Sequence, residues 1–165
     1  MNSLGLYLYN QLKWLIPETK GFALKRSFLR LCGAKIEDNV RICSSVTILG
    51  SGRLFIGANT WIGHETMIIS SSAVYIGSDV DIAPRVFLGT GTHIMDVNSP
   101  RIAAKDISKD IIIGNGCWIC ANVLILPGVT IGDKSVIAAG AVVNRDVPSM
   151  VVNGGIPSVT IKPLS

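Results

Sequence analysis

Histidine is scarce in this chain, and so is charge. The 165 residues include two histidines and only 16% charged residues, with a formal net charge of +4. No run of like charges marks a nucleic-acid-binding tail, so a small anionic molecule is the more natural partner. No apolar segment reaches membrane-spanning length, and the start of the chain lacks a cleavable secretory pattern. We therefore expect one cytoplasmic domain that binds no nucleic acid.

The four cysteines give little support for disulfides. Cys32, Cys43, Cys117 and Cys120 would suffice for two bridges in a secreted chain, but nothing else indicates secretion. The spacing of the last two is that of half a zinc or redox site, yet it has no second pair and no histidine nearby. We interpret all four as small, buried, reduced thiols and expect no metal.

What the sequence has in abundance is a repeat of six residues. An aliphatic residue occurs at every sixth position over three stretches, is lost over residues 94–112, and then returns. These positions are Ile36, Ile42, Ile48, Ile56, Ile62, Ile68, Ile76, Ile82, Leu88, Ile113, Ile119, Ile125, Ile131, Ile137 and Val143. The residue that follows is often Gly or Ala. A hexapeptide period is typical of a β-helix.

Each unit is expected to form a short strand and a corner, with its aliphatic side chain in a narrow interior. A small residue after it lets the chain turn without a Cβ clash. Three units make a triangular coil, and coils stack because none buries its apolar face alone. We predict an all-β fold with a parallel β-helix over residues 35–148. Residues 94–112 form an extruded loop, and residues 149–165 form a C-terminal tail packing on the β-helix.

Residues 1–34 lie outside the repeat and predict two short helices. Apolar side chains occur at helical spacing from Leu4 to Leu15, and Pro17 ends that segment; residues 22–31 predict a second helix with three basic side chains. We favour a helical cap that covers the unpaired strand edges at the open end of the β-helix. The alternative is an amphipathic face with basic neighbours that lies on a membrane surface.

One histidine stands where the repeat breaks. His93 follows Gly91 and Thr92 and precedes a long insertion, Ile94 to Lys109. Long loops inside compact folds are often lids or binding loops. An imidazole accepts a proton near neutral pH, and a carboxylate such as Asp96, or a backbone carbonyl, would fix its tautomer. We predict that His93 is a general base; a histidine that only caps the coil is the alternative.

Three further segments carry a resemblance to a known family. They are Thr90-Gly91-Thr92-His93 with its loop, residues 116–123 with 127–132, and residues 138–148 followed by Gly154-Gly155-Ile156-Pro157. With the repeat, they closely resemble the hexapeptide-repeat O-acetyltransferases. That family includes galactoside, maltose and nodulation-factor acetyltransferases and enzymes of bacterial surface-polysaccharide clusters. The resemblance covers roughly residues 36–163.

The resemblance implies a left-handed β-helix, a homotrimer, and acetyl-CoA bound between subunits with a saccharide hydroxyl as acceptor. It makes His93 the general base and the backbone N–H of Ala121 the oxyanion donor. The cofactor-binding positions that it implies are Trp118, Ala139, Arg145 and Lys162. The two basic residues would contact the coenzyme phosphates, although solvating the C-terminal strand is an alternative role for them.

The sequence departs from the galactoside-type members one coil before His93. Gly63-His64-Glu65 stands there in place of a substrate-binding Asn. We therefore take His64, Glu65 and Asp96 as candidate acceptor-binding residues, with an exposed or interfacial role as the alternative for His64. Neither the sugar nor the hydroxyl is predicted.

Other functions stay open at this point. N-acetylation of a nucleotide-linked amino sugar would make similar demands on His93, but the nucleotide-binding N-terminal domain of some N-acetylating relatives is missing. A metal site like that of γ-type carbonic anhydrases needs three histidines, and a scaffolding β-helix needs none beside a long loop. We expect an O-acetyltransferase of surface-polysaccharide biosynthesis, with the N-terminal segment as a candidate for peripheral contact with the inner face of the membrane.

Overall fold

The computed structural model describes residues 1–164, which form a triangular stack of strands closed at one end by helices. Helix α1 is Ser3–Leu12, a 3-10 turn spans Lys13–Leu15, and α2 is Phe22–Leu31. The strands are β1 (Lys35–Ile36), β2 (Arg41–Ile42), β3 (Thr47–Leu49), β4 (Arg53–Ile56), β5 (Trp61–Ile62), β6 (Met67–Ile69), β7 (Ala73–Ile76), β8 (Asp81–Ile82), β9 (Phe87–Gly89), β10 (Gly91–Met95), β11 (Ala103–Ser108), β12 (Ile111–Ile113), β13 (Trp118–Ile119), β14 (Leu124–Ile125), β15 (Thr130–Ile131), β16 (Val136–Ile137), β17 (Val142–Val143), β18 (Val151–Gly155) and β19 (Ser158–Pro163). No helix within residues 1–164 is both long and apolar enough to cross a membrane.

Three sheets form the sides of the triangle. Sheet A has the order β1-β4-β7-β12-β15, sheet B the order β2-β5-β8-β13-β16-β18-β19, and sheet C the order β3-β6-β9-β14-β17. Each coil contributes one strand to each sheet, so five complete coils and part of a sixth are stacked in parallel register. The predicted left-handed parallel β-helix is confirmed.

The aliphatic positions of the repeat fill the interior. All fifteen are at most 4% exposed, and a second buried position, often Val, lies two residues before most of them. The glycines that follow are required by close stacking between coils. A Cβ on Gly57 would lie 2.6 Å from the carbonyl carbon of Gly77, and one on Gly63 would lie 2.6 Å from the carbonyl oxygen of Ile82.

The N-terminal helices cover the first coil by pairing its free carbonyl groups. N–H groups of alternate residues in that coil donate to the second coil, as from Thr47 to Thr66. The carbonyls of the intervening residues point away from the stack. Five cap side chains donate to them. The pairs are Asn10 to Ile48, Lys13 to Val46, Lys25 to Ile42, Arg26 to Val40 and Arg30 to Ile36. A strand edge that would otherwise lie open is thereby satisfied.

Two predicted boundaries differ from the structure. The extruded segment predicted as a loop over residues 94–112 contains strands: β10 and β11 pair as an antiparallel hairpin that begins at Gly91, and the coil resumes at Ile111. At the other end, β18 pairs in parallel with β16 and β19 folds back on β18, so sheet B continues beyond residue 148. Both differences arise because the six-residue period carries no information about strands that lie outside it.

Candidate active site

The hairpin holds His93 directly opposite Asp106. Nδ1 of His93 lies 2.8 Å from Oδ1 of Asp106, and the imidazole is 52% exposed. A carboxylate at Nδ1 favours the tautomer in which Nδ1 carries the proton and Nε2 keeps its lone pair. Asp96 is used elsewhere, because its Oδ1 accepts the N–H of Asn98 at 2.9 Å within the hairpin turn. The partner that the sequence suggested for His93 is therefore replaced by Asp106.

An open cavity of about 470 Å³ lies against this pair. Its lining residues are Ser71, Gly91, Thr92, His93, Asp106, Ile107 and Ser108. The buried hydroxyl of Thr90 accepts the N–H groups of Ser71 at 2.8 Å and Ser72 at 3.0 Å, which fixes the chain beside the cavity. Sequence reasoning missed Ser71, because it comes from the preceding coil, and missed Asp106, because its position depends on the hairpin register.

A second group of predicted residues lies along the corner between sheets B and C. Successive coils are joined there by backbone hydrogen bonds from Arg85 to His64, Asn122 to Pro84 and Gly140 to Ala121. The N–H groups of Ala121 and Ala139 donate to no acceptor among residues 1–164. Each is therefore available to a ligand that runs along this corner.

The predicted cofactor residues divide between two places. Trp118, 54% exposed, lies on β13 of sheet B, in register with Val136, and Lys162 is exposed on β19 at the end of the same sheet. Ala121 and Ala139 follow strands of that sheet by two residues. Arg145 is exposed after β17 of sheet C, so it lies at a different corner of the triangle from Ala121 and Ala139.

The candidate acceptor residues also lie apart from the histidine. His64 is half-buried at the corner between sheets B and C, whereas His93 leaves the β-helix at the end of sheet C. The Glu65 carboxylate accepts a hydrogen bond of 2.6 Å from Nε of Arg85, and both side chains are exposed. One chain alone therefore does not bring His64, Glu65 or Ala121 to His93.

One cluster has the donor types of a metal site. Ligand atoms of Glu18, Cys43 and His64 all lie within 4.8 Å of one another, with Nδ1 of His64 3.8 Å from Sγ of Cys43. Burial, with the nearby Glu18 carboxylate, raises the pKa of the Cys43 thiol to about 11, so it stays protonated at neutral pH. The Lys25 ammonium donates to the residues on either side of Cys43. A cation at this cluster would have to displace the thiol proton and lie beside an ammonium group.

All four cysteines are free thiols. Cys32, Cys43 and Cys117 are buried as predicted, whereas Cys120, predicted to be buried, is half-buried.

The relatives and the coenzyme-bound structures that this chain resembles identify an acyltransferase built on a hexapeptide β-helix. A family model described as "Bacterial transferase hexapeptide (six repeats)" matches residues 110–145. The chain belongs to the family of hexapeptide-repeat acetyltransferases.

Two relatives and one solved structure give the extent of the similarity. A protein of Escherichia coli (strain K12) named as a colanic acid biosynthesis acetyltransferase, WcaF, is 37% identical over 138 residues, covering 83% of this chain and 74% of the relative. Galactoside O-acetyltransferase of the same strain is 34% identical over 141 residues, covering 86% and 69%. The crystal structure of acetyltransferase VCA0836 from Vibrio cholerae O1 biovar eltor with acetyl coenzyme A has a TM-score of 0.74 and 28% identity, covering 98% of this chain and 88% of that one.

Proposed function

We propose that the protein is an acetyl-CoA-dependent O-acetyltransferase that modifies a saccharide hydroxyl during synthesis of a surface polysaccharide, acting in the cytoplasm. The observation that carries the proposal is the His93–Asp106 pair at 2.8 Å beside an open cavity. The names of the relatives, which refer to colanic acid and to galactosides, support a sugar acceptor. The acetyl-CoA complex of the similar structure supports the cofactor.

His93 acts as general base in this mechanism. With Nδ1 bonded to Asp106, Nε2 accepts the proton of the sugar hydroxyl as its oxygen attacks the thioester carbonyl of acetyl-CoA. A C–O bond forms and a tetrahedral oxyanion results. When the C–S bond breaks, the imidazolium returns its proton to the departing coenzyme A thiolate. The acetyl ester and free coenzyme A leave, and His93 is neutral again.

The unused N–H of Ala121 binds the thioester oxygen as negative charge develops on it. One such donor contributes roughly 3 to 4 kcal/mol to lowering a barrier. Trp118, Ala139 and Lys162 extend along the same side of the β-helix and bind the arm and phosphates of the coenzyme. Arg145, at another corner, binds phosphate only if a second subunit supplies the rest of the groove. His64, Glu65 and Asp96 stay acceptor-binding candidates.

A homotrimer accounts for the separation of these groups, since His93 of one subunit would face the Ala121 corner of its neighbour. Sheet C is the side best suited to subunit contact. Its outward positions form a column in register that is apolar except at one end. The column consists of Thr47, Met67, Phe87, Leu124 and Val142. Exposed apolar columns of this kind are typical of subunit interfaces.

The test is release of free coenzyme A thiol from acetyl-CoA in the presence of a panel of sugars and oligosaccharides. We expect acceptor-dependent release, and a decrease in turnover of roughly two to four orders of magnitude in His93→Ala, the effect of losing a general base. Acetyl-CoA binding by that variant, followed by calorimetry, should be nearly unchanged. Near-normal turnover in His93→Ala would remove the catalytic assignment.

The linkage in the product distinguishes the two transfer reactions. An acetyl ester is cleaved by mild alkali, whereas an acetamide is not. Alkali-labile acetyl groups support the O-acetyltransferase, and alkali-stable groups on an amino sugar would replace it with N-acetylation.

A further inference from the structure

The apolar side of the first helix faces away from the protein. Leu4, Leu8, Leu12 and Leu15 form one line along α1 and the turn after it, at spacings of four, four and three residues. Their exposed fractions run from 45% at Leu8 to 81% at Leu15. The side of α1 and its following turn that packs on the β-helix carries other residues, including the buried Leu6, Tyr9 and Lys13. The leucines that give this segment its helical hydrophobic period are therefore not the residues that pack on the β-helix.

The exposed surface continues onto the second helix. Tyr7 and Trp14 lie beside the leucine line and are 60% and 64% exposed. A groove of about 300 Å³ separates α1 from α2, and Leu12, Leu15 and Leu24 all line it. We call Leu4, Tyr7, Leu8, Leu12, Trp14, Leu15 and Leu24 the apolar face. Large apolar side chains exposed together on neighbouring elements mark a surface that contacts something.

The net positive charge of the chain comes from its N-terminal segment, although Arg30 of that segment is paired with Asp38. Residues 1–35 contain six basic and one acidic side chain, whereas residues 36–165 contain nine basic and ten acidic ones. The single carboxylate, Glu18, is bonded to Ser45. Lys20 and Lys35 are exposed, and the buried ammonium groups of Lys13 and Lys25 lie beneath the groove. The segment thus combines an apolar surface with a net positive charge.

We infer that the apolar face docks on an anionic phospholipid bilayer. An interfacial helix of this kind lies in the plane of the membrane, with leucines among the acyl chains and cationic groups near the phosphates. Trp14 and Tyr7 suit the headgroup level, where aromatic side chains with a polar atom are enriched. The site uses no residue of the proposed active site, so it stands or fails independently of the catalytic proposal.

A bilayer fits this face better than another protein or a second copy of the chain. The face carries no charged side chain that could pair with one particular group on a protein partner. The net positive charge of residues 1–35 complements anionic headgroups, which require no fixed pairing geometry. Docking there leaves the opposite end of the β-helix and the His93 hairpin facing the aqueous phase, because the cap covers the first coil and the hairpin leaves the third.

The experiment is cosedimentation of the full chain with phosphatidylcholine vesicles, with and without phosphatidylglycerol. We expect binding to the anionic vesicles and much less to neutral ones. Leu8→Gln/Leu15→Gln should weaken that binding by about tenfold or more, because two leucines no longer enter the acyl region. Ile156→Gln/Val159→Gln is the matched control, since it removes two exposed aliphatic side chains at the other end of the β-helix and should bind like the parent.

A second measurement locates the face in the bilayer. Brominated acyl chains should quench the fluorescence of Trp14, and quenching should decrease strongly in Trp14→Phe, which keeps the apolar character. Binding that is absent, or equal in the leucine variant and the parent, would overturn the proposal. So would a change in the mass of the assembly in the leucine variant without lipid, because the face would then be a contact between protein chains.

Discussion

At the scale of single residues, the proposed chemistry depends on the carboxylate that orients His93. Asp106→Asn should lower kcat by roughly ten- to a hundredfold, less than the loss of the base itself. The reason is that an amide no longer favours the tautomer with a proton on Nδ1, which the carboxylate does at 2.8 Å. Steady-state kinetics with the acceptor found in the sugar screen provide the measurement, and KM for acetyl-CoA should change little.

Asp79→Asn is the control for that variant. It removes one exposed carboxylate at another corner of the β-helix, where its contact is with the side-chain amide of Asn59. An equal decrease in kcat for Asp79→Asn and Asp106→Asn would contradict the assignment of Asp106 as the positioning residue.

The buried thiol of Cys43 gives a pH dependence with a definite sign. Its pKa of about 11 exceeds its ordinary value of 9.0, so the unfolded chain loses the thiol proton first as the pH rises. Stability should therefore decrease between pH 9 and 11, by at most about 2 to 3 kcal/mol from this group. Cys43→Ala should be less stable at pH 8 but show a shallower decrease, measured by urea unfolding across that range.

Comparing how steeply stability changes with pH in the parent and in Cys43→Ala separates the contribution of Cys43 from that of its neighbours. Burial lowers the pKa of Lys13 to about 8, which raises stability with increasing pH over part of the same range, but this contribution is present in both proteins. Parallel slopes in the parent and Cys43→Ala would show that the thiol does not titrate as its burial implies.

At the scale of elements, the sequence predicts the coils and not the hairpin. A strand with an inward aliphatic residue every sixth position follows from the repeat, and each such residue is buried. The insertion has no such period. A signal was nevertheless present, since Asn98-Ser99-Pro100 is a turn sequence, and a hairpin centred there places residue 93 opposite residue 106. Recognising that symmetry would have replaced Asp96 with Asp106.

The carbonyl groups at the edge of the first coil depend on side-chain donors from the N-terminal helices. Lys25 is fully buried, and its ammonium donates to the carbonyls of Ile42 and Glu18 and to the Ser44 hydroxyl. Lys25→Met should destabilise α2 by about 1 to 3 kcal/mol, because the Ile42 carbonyl loses its partner inside the protein. Amide hydrogen exchange over Phe22–Leu31 is the measurement, with faster exchange expected.

Lys20→Met controls for the loss of positive charge. Lys20 is exposed between the helices, and its side chain makes no hydrogen bond with residues 1–164. In Lys20→Met, the amide exchange rates over Phe22–Leu31 should match those of the parent. Equal acceleration in both variants would mean that net charge, and not the carbonyl pairing, holds the cap in place.

At the scale of the whole molecule, the candidate site is incomplete in one chain. The sequence indicates His93, and the family resemblance supplies Ala121, but the six-residue period alone does not say that sheet C separates them. The proposed mechanism brings them together by contact between subunits, which would depend on outward side chains that the repeat does not constrain. The apolar column on sheet C is visible only once the register of its strands is known.

Shared sites predict complementation between two inactive variants. His93→Ala removes the base, and Ala121→Pro removes the oxyanion donor. The second change should preserve the fold, because Pro84 occupies the same corner one coil earlier, with Arg85 and Asn122 in equivalent left-handed conformations. Alone, Ala121→Pro should lower kcat by roughly two to three orders of magnitude.

Coexpressed in equal amounts, the two variants should recover far more activity than either alone. If each site takes His93 from one subunit and Ala121 from the next, random assembly leaves about a quarter of the sites with both groups intact. Sites built within a single chain would give only the average of two impaired enzymes. Purified mixed trimers are compared with His93→Ala alone at equal concentration. Recovered activity would indicate shared sites, because a site built within one chain always lacks either the His93 imidazole or the Ala121 N–H.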